Sequence, residues 1–364
     1  MHRRRFIQTA ASIAAAITAR AQETSVIPVR LGFDTYSIRA FKWKAIQLLD
    51  YAASLKLDTI QFSSLDDYAS HDAAYLASVK EHAAKLGIVV DGGMGCICPL
   101  STSWNAKDGD PKENILRGLR VAHAVGATSM RCYQGNRADR RLAIPLEALM
   151  ESTIKLFRSV KSEAMDLGVR IGLENHAGDM QAHEVRTIIE ESGKDFVGSC
   201  LDTGNPMWVM EDPLVTLEVL APYVVTTHVR DSVVYEHARG AAAQWVALGD
   251  GTIDLRKFVE RFRVLCPKAN MQLEIITGRP PDVLPYFEPE FWKAFPKAKA
   301  SEFARFVALA KTGHPFTGFM VVEDGIKSPL PEFSAALREQ QRVDLERSFE
   351  YAKKTLNVGV RWRS

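Results

Sequence analysis

The feature that most constrains this chain is a regular alternation of short apolar, β-branched runs with amphipathic segments, from Val29 to Asn357. Strands that alternate with helices predict βαβ units and a parallel sheet, and so an α/β fold class. Eight such units of roughly 30–45 residues favour a closed (β/α)8 barrel, or TIM barrel, over a doubly wound sheet. No Gly-x-Gly-x-x-Gly follows the first strand, which removes the main reason to expect a dinucleotide fold. The predicted strands cover residues 30–35, 59–63, 88–92, 129–133, 170–175, 197–202, 224–229 and 271–276.

Amphipathic helices are predicted between these strands because apolar residues recur at helical spacing, as in Ile46, Leu49 and Ala53. Glycines such as Gly87 and Gly168 stand where a left-handed cap is expected to end a helix. The predicted helices cover residues 40–56, 73–86, 112–125, 145–167, 182–191, 213–221 and 255–265, and a last helix covers 345–356.

A long segment rich in proline and aromatic residues, from about 277 to 333, separates the eighth strand from the last helix. A βα loop of this size lies on the catalytic face of a barrel, so it predicts a lid or a wall of the substrate site. The alternatives are an oligomer contact, which leaves a homo-oligomer open, or a decorative subdomain.

The first residues have the pattern of an export signal. An arginine run at residues 3–5 precedes an Ala-rich, weakly apolar stretch, and an Ala-Arg-Ala triplet at 19–21 offers small residues to a signal peptidase. We predict a signal peptide of the twin-arginine type at residues 1–21, although His2 replaces the usual Ser or Thr. An ordinary secretory signal and a retained membrane anchor are the alternatives. Residues 22–364 are then a single barrel domain that is periplasmic or secreted.

The basic balance of the chain belongs to this N-terminal segment. Four of the 46 basic residues lie in residues 1–21, which contain no acid, leaving 42 basic against 44 acidic residues and a net charge of about −2. Nucleic-acid binding requires a basic surface, so no nucleic-acid partner is predicted. Beyond residue 21 no apolar run reaches about 18 residues, so no membrane span is predicted there. The five cysteines, an odd number, do not indicate a disulfide framework.

Four residues of metal-ligand type stand at the ends of the fifth to eighth predicted strands: Glu174, Asp202, His228 and Glu274. The carboxyl ends of barrel strands converge on one mouth, so these side chains are expected to meet. Three carboxylates and an imidazole carry a charge of about −3, whose burial without a cation would be very costly. The donor set predicts a divalent metal, with Mn²⁺ favoured and Mg²⁺, Co²⁺ or Zn²⁺ as alternatives. The competing interpretation is that each residue is structural.

The motifs around these strand ends resemble those of a known superfamily. Leu-Glu-Asn-His, Leu-Asp-Thr-Gly-Asn, His-Val-Arg-Asp, Leu-Gly-Asp-Gly-Thr-Ile-Asp and Gln-Leu-Glu-Ile occur in this order. Together they resemble the sugar phosphate isomerase/epimerase superfamily, which is built on a xylose isomerase-like barrel and includes ketose 3-epimerases and inosose dehydratases. The resemblance covers roughly residues 29–357 without the long insert, and it is specific for the superfamily rather than for a substrate.

The resemblance implies roles for the same four residues. Glu174 and Glu274 would bind the metal and act as the catalytic acid–base pair, and Asp202 and His228 would complete the metal shell. The metal would stabilise charge on a substrate oxygen while one glutamate removes a proton from the neighbouring carbon to give an enediolate.

Further residues would contact the substrate. The resemblance implies that His176 touches a substrate hydroxyl, that Arg230 is a substrate-binding candidate, and that Asp231 either supports His228 or binds a second metal. Aromatic residues near strand ends, Trp208 among them, are candidates for stacking on a sugar or for ordinary packing. They are Phe33, Tyr36, Phe62, Trp104, Tyr133, Trp208 and Trp245.

The predicted function is a metal-dependent sugar isomerase or epimerase. No Gly-rich phosphate loop is present, which favours a non-phosphorylated sugar or glycoside as substrate. One alternative is a β-eliminating lyase or hydratase that acts on 3-keto-glycosides. Another, from a different class, is a non-catalytic periplasmic sugar-binding barrel. A DNA-repair endonuclease of the same barrel type is disfavoured by the charge.

Overall fold

The computed structural model describes residues 27–318 and 322–363, so the predicted signal at residues 1–21 lies outside the described residues and export stays a prediction. The strands are β1 (Leu31–Asp34), β2 (Thr59–Gln61), β3 (Val89–Cys96), β4 (Ser129–Tyr133), β5 (Arg170–Glu174), β6 (Val197–Asp202), β7 (Val224–His228), β8 (Asp231–His237), β9 (Gly240–Val246), β10 (Met271–Leu273) and β11 (Asp282–Leu284). Within the described residues, β1 to β7 and β10 form a parallel eight-stranded sheet in which β10 pairs with β1.

This sheet closes into a barrel between β7 and β10. A parallel bridge joins Val229 to Leu273 just past the end of β7. The Val229 N–H donates to the Gln272 carbonyl at 2.7 Å, and the Glu274 N–H donates to the Val229 carbonyl at 3.1 Å. The predicted (β/α)8 barrel is therefore confirmed.

Helices lie between the strands and cover the outside of the barrel. They are α1 (Ala45–Ser54), α2 (Ala73–Leu86), α3 (Pro111–Ala124), α4 (Leu146–Ser159), α5 (Lys161–Leu167), α6 (Ala182–Ser192), α7 (Pro213–Leu220), α8 (Leu255–Leu265), α9 (Ala300–Thr312) and α10 (Pro331–Lys354). In α8, residues Leu255, Phe258, Val259 and Phe262 are buried, which is the i, i+3, i+4, i+7 stripe of a helix packed on one face. Along the described chain, no helix is both long and apolar enough to span a bilayer.

The observed helices differ from the predicted ones in three places. The predicted helix 40–56 is a 3-10 helix, Thr35–Phe41, followed by α1. The predicted helix 145–167 divides into α4 and α5 because Val160 has φ −113°, outside the helical region. The last helix begins at Pro331 rather than at 345, since Pro at the first helical position is compatible with a helix start.

The inside of the barrel below its mouth is polar. The Asp91 carboxylate is buried and accepts hydrogen bonds from Ser129 Oγ at 2.9 Å, Thr226 Oγ1 at 3.1 Å, Asn270 Nδ2 at 3.1 Å and Gln272 Nε2 at 2.8 Å. A buried carboxylate with four donors has its hydrogen-bonding capacity satisfied, so this network can lie in the interior without a cation. This network lies in the barrel interior beneath the strand ends.

A second, antiparallel sheet that the sequence did not predict lies beside the mouth. The hairpin of β8 and β9 follows β7 directly, and β11, from the predicted insert, pairs with β9. The insert also contains a 3-10 helix, Pro289–Ala294, and α9. Strand β9 has the sequence Gly-Ala-Ala-Ala-Gln-Trp-Val, and because alanine is depleted in strands, local propensity did not indicate this element.

The insert is held against the barrel by a buried arginine. Arg140 donates from Nε to the Ala294 carbonyl at 3.0 Å, and its two terminal nitrogens contact the Glu184 carboxylate at 2.8 and 3.0 Å. Its guanidinium also lies 4.3 Å from the centroid of the Phe295 ring. The segment is thus a packed wall beside the mouth, and its predicted role in binding substrate stays a prediction. All five cysteines fall in the described residues, where each is free and buried.

A buried acid between α6 and α7 makes stability dependent on pH. Glu211 accepts hydrogen bonds from the Ala182 N–H at 3.1 Å and from Thr216 Oγ1 at 2.5 Å, and burial raises its pKa to about 7. Unfolded glutamate has a pKa of about 4.3, so the folded chain keeps a proton that the unfolded chain loses, and the unfolding free energy falls as pH rises towards 7. We therefore expect the unfolding free energy of Glu211→Gln, minus that of wild type, to be about 3 kcal/mol higher at pH 8 than at pH 5. Urea unfolding at the two pH values measures this difference.

The matched control is Glu218→Gln, an exposed glutamate on α7, whose stability difference from wild type should be the same at both pH values. A Glu211→Gln difference that does not change with pH would contradict the raised pKa.

Candidate active site

Four buried side chains from consecutive strand ends meet at the mouth of the barrel. Ligand atoms of Glu174, Asp202, His228 and Glu274 all lie within 4.8 Å of one another. Glu174, Asp202 and His228 are the last residues of β5, β6 and β7, and Glu274 follows the end of β10. The structure therefore brings together the residues that the strand ends predicted, while their roles stay predictions.

Local backbone contacts orient Asp202. Its Oδ1 accepts hydrogen bonds from the Gly204 and Asn205 N–H groups, both at 2.7 Å. The Asn175 side chain bonds the Asp202 backbone in both directions, at 2.9 and 3.0 Å. The Leu-Asp-Thr-Gly-Asn motif is thus a turn that holds the aspartate through Oδ1, while Oδ2 pairs with Arg230.

His228 is oriented so that one ring nitrogen faces the carboxylates. Its Nε2 is hydrogen-bonded to Gln61 Oε1 and lies 3.3 Å from Asp34 Oδ2. Its Nδ1 has no hydrogen-bond partner among the described residues, and lies 3.4 Å from Glu174 Oε1 and 3.3 Å from Glu274 Oε2. One imidazole nitrogen held by an outer partner and the other left open towards carboxylates is the arrangement of a metal-binding histidine.

Two buried arginines contact the carboxylates: Arg131, which sequence reasoning missed, and Arg230, which it placed in the site as a substrate-binding candidate. Arg131 Nε donates to Glu174 Oε2 at 2.5 Å. Arg230 forms ion pairs with Asp202 and Glu274, and its Nη2 lies 3.6 Å from Glu174 Oε1. The predicted charge of about −3 belongs to the four proposed ligands alone, and in the structure two guanidiniums lie against their three carboxylates.

The electrostatic environment keeps both glutamates ionised. Burial raises the pKa of Glu274, but Arg230 and His228 outweigh burial and lower it to about 2. Burial likewise opposes ionisation of Glu174, yet Arg131 and His228 hold its pKa well below the usual value. For Asp202 burial is the larger effect and raises the pKa to about 7, although Arg230 lowers it. The two glutamates are therefore ionised, and Asp202 is the most easily protonated of the three carboxyl groups.

A cavity of about 330 Å³ opens above this cluster. Its lining includes Glu274, Arg230, His176, Tyr133, Trp245 and Arg279. Glu174 does not line this cavity. It is fully buried below the cavity, where Asn205 Nδ2 donates to its Oε1 at 3.2 Å. The two glutamates are thus not equivalent, because Glu274 alone of the pair faces the space in which a ligand would bind.

His176 lies in the same cavity, as its predicted substrate contact requires. Its Nδ1 lies 2.6 Å from the Gly135 carbonyl, and its ring stacks on Tyr133 with centroids 3.8 Å apart. Since a carbonyl only accepts, Nδ1 carries the proton and Nε2 is left as an acceptor. Burial lowers the pKa of His176 to about 4, which keeps the ring neutral. It can therefore accept a hydrogen bond from a hydroxyl.

With this geometry in place, comparison with known proteins identifies the family. A family model described as "Xylose isomerase-like TIM barrel" matches residues 49–265, which is more than half of the chain. The chain belongs to the xylose isomerase-like TIM barrel family.

Two curated proteins are related to this family member at low identity. It is 24% identical over 214 residues to 3-oxo-isoapionate decarboxylase of Pectobacterium atrosepticum, which covers 55% of this chain and 68% of that protein. It is 23% identical over 148 residues to the uncharacterized protein YihM of Escherichia coli K12, which covers 40% of this chain and 42% of that protein. The chain thus matches less than half the length of YihM.

Solved structures with the same family fold cover most of the chain. A D-psicose 3-epimerase solved in the presence of D-fructose has a TM-score of 0.57 at 16% identity and covers 90% of this chain and 99% of its own. The 3-keto-D-glucoside 4-epimerase YcjR of E. coli has a TM-score of 0.52 at 14% identity, covering 77% and 98%. A xylose isomerase-like TIM barrel protein of Mycobacterium smegmatis in complex with magnesium has a TM-score of 0.52 at 15% identity, covering 78% and 96%. These likenesses show the fold.

Trp208, predicted to contact substrate, lies one layer behind the cavity. Its ring packs on Trp245 with centroids 4.4 Å apart, and its Nε1 donates to Asp282 Oδ2 at 2.8 Å. Among the described residues, Trp245 on β9 lines the cavity and Trp208 does not. The hairpin, which the sequence did not predict, places Trp245 between Trp208 and the mouth, and a contact of Trp208 with substrate stays a prediction.

Asp231 anchors a turn rather than the metal cluster. Its Oδ2 accepts from the Gly249 N–H at 3.0 Å and the Gly251 N–H at 3.1 Å. The outer partner of His228 is Gln61, which the sequence analysis did not consider. Gln61 and Asp34 end β2 and β1, so the rule that selected the later strand ends could have found both.

Proposed function

We propose that this protein is a divalent-metal-dependent enzyme of the isomerase and epimerase type, which removes a proton from the carbon next to the carbonyl of a non-phosphorylated sugar. The observation that carries the proposal is the buried ligand cluster with an open His228 Nδ1, beneath a cavity that Glu274 enters. The relatives named as sugar epimerases and as a decarboxylase of an oxo acid support the same class of chemistry, in which charge develops next to a carbonyl.

The residues present fit a divalent cation. Glu174, Asp202, His228 and Glu274 would hold it through carboxylate oxygens and one imidazole nitrogen. An oxygen-rich set with one nitrogen suits Mn²⁺, with Mg²⁺, Co²⁺ and Zn²⁺ as alternatives. When bound, the cation would supply Lewis-acid stabilisation of negative charge on a substrate oxygen.

The remaining catalytic and binding roles are assigned to residues of the chain. Glu274 faces the cavity and is assigned the removal of the proton, because a base must come within hydrogen-bond reach of that proton. His176 Nε2 would accept a hydrogen bond from a substrate hydroxyl, and Trp245 would form part of the wall beside the sugar. Glu174 is buried below the cavity, so we assign it first to metal binding, and its part in proton return remains a prediction.

The charge of the cavity favours a neutral sugar. Arg131 and Arg230 are engaged by carboxylates, and Arg279 lies 3.4 Å from Asp324 Oδ2. Among the described lining residues no arginine is left without an acidic partner, so no cradle for a phosphate is formed.

A second candidate is β-elimination from 3-keto-glycosides. Trp245 also lines a separate cavity of about 450 Å³, bounded by Thr277, Phe316 and α10. This cavity offers room for an apolar aglycone next to the reacting sugar. The observation favours a leaving group on the substrate, which a simple ketose does not have.

One experiment distinguishes these functions. The Mn²⁺-loaded protein is incubated in D₂O with ketoses and with 3-keto-glucosides, and products are followed by NMR. Deuterium next to the carbonyl of a recovered or epimerised sugar supports the isomerase and epimerase function. Release of the aglycone supports β-elimination. Sugar binding with neither product would support a non-catalytic binding protein and reject both reactions.

Arg230 should oppose metal binding in the substrate-free protein. Its guanidinium pairs with Asp202 and Glu274, two of the four ligands, so a cation entering the site has to displace it. We expect Arg230→Met to bind Mn²⁺ about tenfold more tightly than wild type in isothermal titration calorimetry, because a competing positive charge is removed. Arg279→Met, which alters an arginine at the rim, should leave the affinity unchanged. Weaker Mn²⁺ binding by Arg230→Met would show that the arginine organises the site instead.

A further inference from the structure

The active-site cavity continues into a second one. A cavity of about 430 Å³ lies beside it on the catalytic face, and Ser64, Gly95 and Tyr133 line both. The second cavity, which we call the polar cleft, lies between the segment after β2, the end of β3, and the connection into α3. A ligand held at Glu274 could therefore extend past Tyr133 without leaving the surface of the protein.

Gly95 keeps the passage between the two cavities open. The pairing of β3 with β4 shifts register between Gly93 and Cys96, and Gly95 lies in this irregular stretch with its backbone exposed. A Cβ at this position would meet nothing nearer than the Tyr133 hydroxyl at 4.0 Å. The φ of Gly95 is not positive, so the backbone does not require glycine here. The absence of a side chain at Gly95 instead leaves open space in the passage between the two cavities.

The polar cleft has the chemistry of a site for a neutral, hydroxylated ligand. Uncharged hydrogen-bonding side chains line it, and its acids, Asp66 and Asp108, are balanced by Lys107 and Arg117. The Tyr133 hydroxyl, at the passage, makes no hydrogen bond to any described residue. Because the two acids and the two bases balance, the polar cleft has no excess positive charge to select a phosphate, and an apolar group would bury its polar side chains without partners. The hydroxyl groups of a sugar unit can donate and accept hydrogen bonds, so they suit both the uncharged and the charged side chains of the polar cleft.

We propose that the substrate is a glycosylated sugar, with the reacting ketose unit at Glu274 and a second, neutral sugar unit in the polar cleft. The inference rests on the proposed function for the reacting end and adds the substrate class. Arg117 is the main contact expected in the polar cleft, because its Nη2 is held by Asn114 Oδ1 at 2.6 Å and the side chain is otherwise exposed.

The test compares D-fructose with isomaltulose, which is the same ketose carrying a glucosyl unit. The Mn²⁺-loaded full chain is assayed for proton exchange next to the carbonyl in D₂O, and kcat/KM is measured for each sugar. Wild type is expected to prefer isomaltulose at least tenfold. Gly95→Val narrows the passage and Arg117→Ala removes a charged donor, and each should lower the isomaltulose to fructose ratio about tenfold. Lys112→Ala, an exposed basic residue on α3 outside the polar cleft, is the matched control and should keep the wild-type ratio.

Two outcomes would overturn the inference while the proposed function stands: exchange in D-fructose with no preference for isomaltulose, or a preference that Gly95→Val and Arg117→Ala leave unchanged. If neither sugar exchanges, the proposed reaction on ketoses fails, and calorimetric binding of the same two sugars decides about the polar cleft. Isomaltulose bound at least tenfold more tightly than D-fructose by wild type but not by Arg117→Ala supports the second sugar site, and equal binding rejects it. Thermal unfolding of each variant shows whether it is folded.

Discussion

Replacement of Glu274 by glutamine is expected to lower kcat for proton exchange next to a sugar carbonyl about 1,000-fold. A positioned general base contributes roughly 100- to 10,000-fold, and an amide of the same shape cannot take the proton. Glu274 is the glutamate of the cluster that faces the cavity, so loss of its carboxylate should affect turnover more than loss of any other single group there. The measurement is deuterium incorporation from D₂O by NMR, at saturating sugar and Mn²⁺.

The variant must be shown to hold metal, because Glu274 is also a proposed ligand. Bound Mn²⁺ is therefore measured alongside turnover, and the concentration of Mn²⁺ is raised until the site is filled. The control is Glu290→Gln, an exposed glutamate in the insert, which should keep wild-type activity. If metal-filled Glu274→Gln retained activity within threefold of wild type, Glu274 would not be the base.

Removal of the metal is expected to abolish turnover and to lower the melting temperature. A ligand that binds only the folded state at 100 times its Kd stabilises it by about 2.7 kcal/mol, which corresponds to a shift of several degrees for a domain of this size. Dialysis against a chelator should therefore lower the Tm, and added Mn²⁺ should restore both the Tm and the activity. His228→Ala should show no rise in Tm on adding Mn²⁺, because it removes the open Nδ1 that faces Glu174 and Glu274.

His82→Ala provides the comparison for that experiment. This partly exposed histidine on α2 pairs with Asp50 away from the mouth, so the variant should keep the full Mn²⁺-dependent rise in Tm. A His228→Ala protein that is still stabilised by Mn²⁺ to the wild-type extent would place the metal elsewhere, and the proposed mechanism would lose its support.

The position of the metal cluster could be predicted because it follows from the topology. Parallel strands joined by helices bring all their carboxyl ends to one face of a closed barrel, so residues 100 positions apart in sequence can be assigned to one place. The same rule applies to Asp34 and Gln61, which end the first two strands and hold His228 from the other side. Neither residue was predicted, although each stands at a strand end.

The two buried arginines could not be placed in the same way. Arg131 stands in the middle of β4, and whether such a side chain reaches the mouth depends on the register of β4 against its neighbours rather than on its own strand. Arg230 was assigned to substrate, but its ion pairs with Asp202 and Glu274 depend on how β7 runs into the hairpin. The net charge of a site includes every charged side chain that lies close in space. Sequence motifs identify only some of these side chains.

The hairpin of β8 and β9 explains why Trp208 lies behind Trp245. Its alanine-rich strand has little local β propensity and is stabilised by pairing with β8 and β11 on either side. Three tryptophans near strand ends were candidates by sequence, and the hairpin inserts Trp245 in front of Trp208.

The amino-acid pattern by itself determined the barrel, the order of its strands and the convergence of Glu174, Asp202, His228 and Glu274, since hydrophobic periodicity and βα connectivity are properties of neighbouring residues. Only the tertiary structure decided which glutamate faces the cavity, which tryptophan lines it and how the carboxylates are neutralised. These features depend on contacts between side chains that are far apart in the sequence. No local sequence pattern determines those contacts.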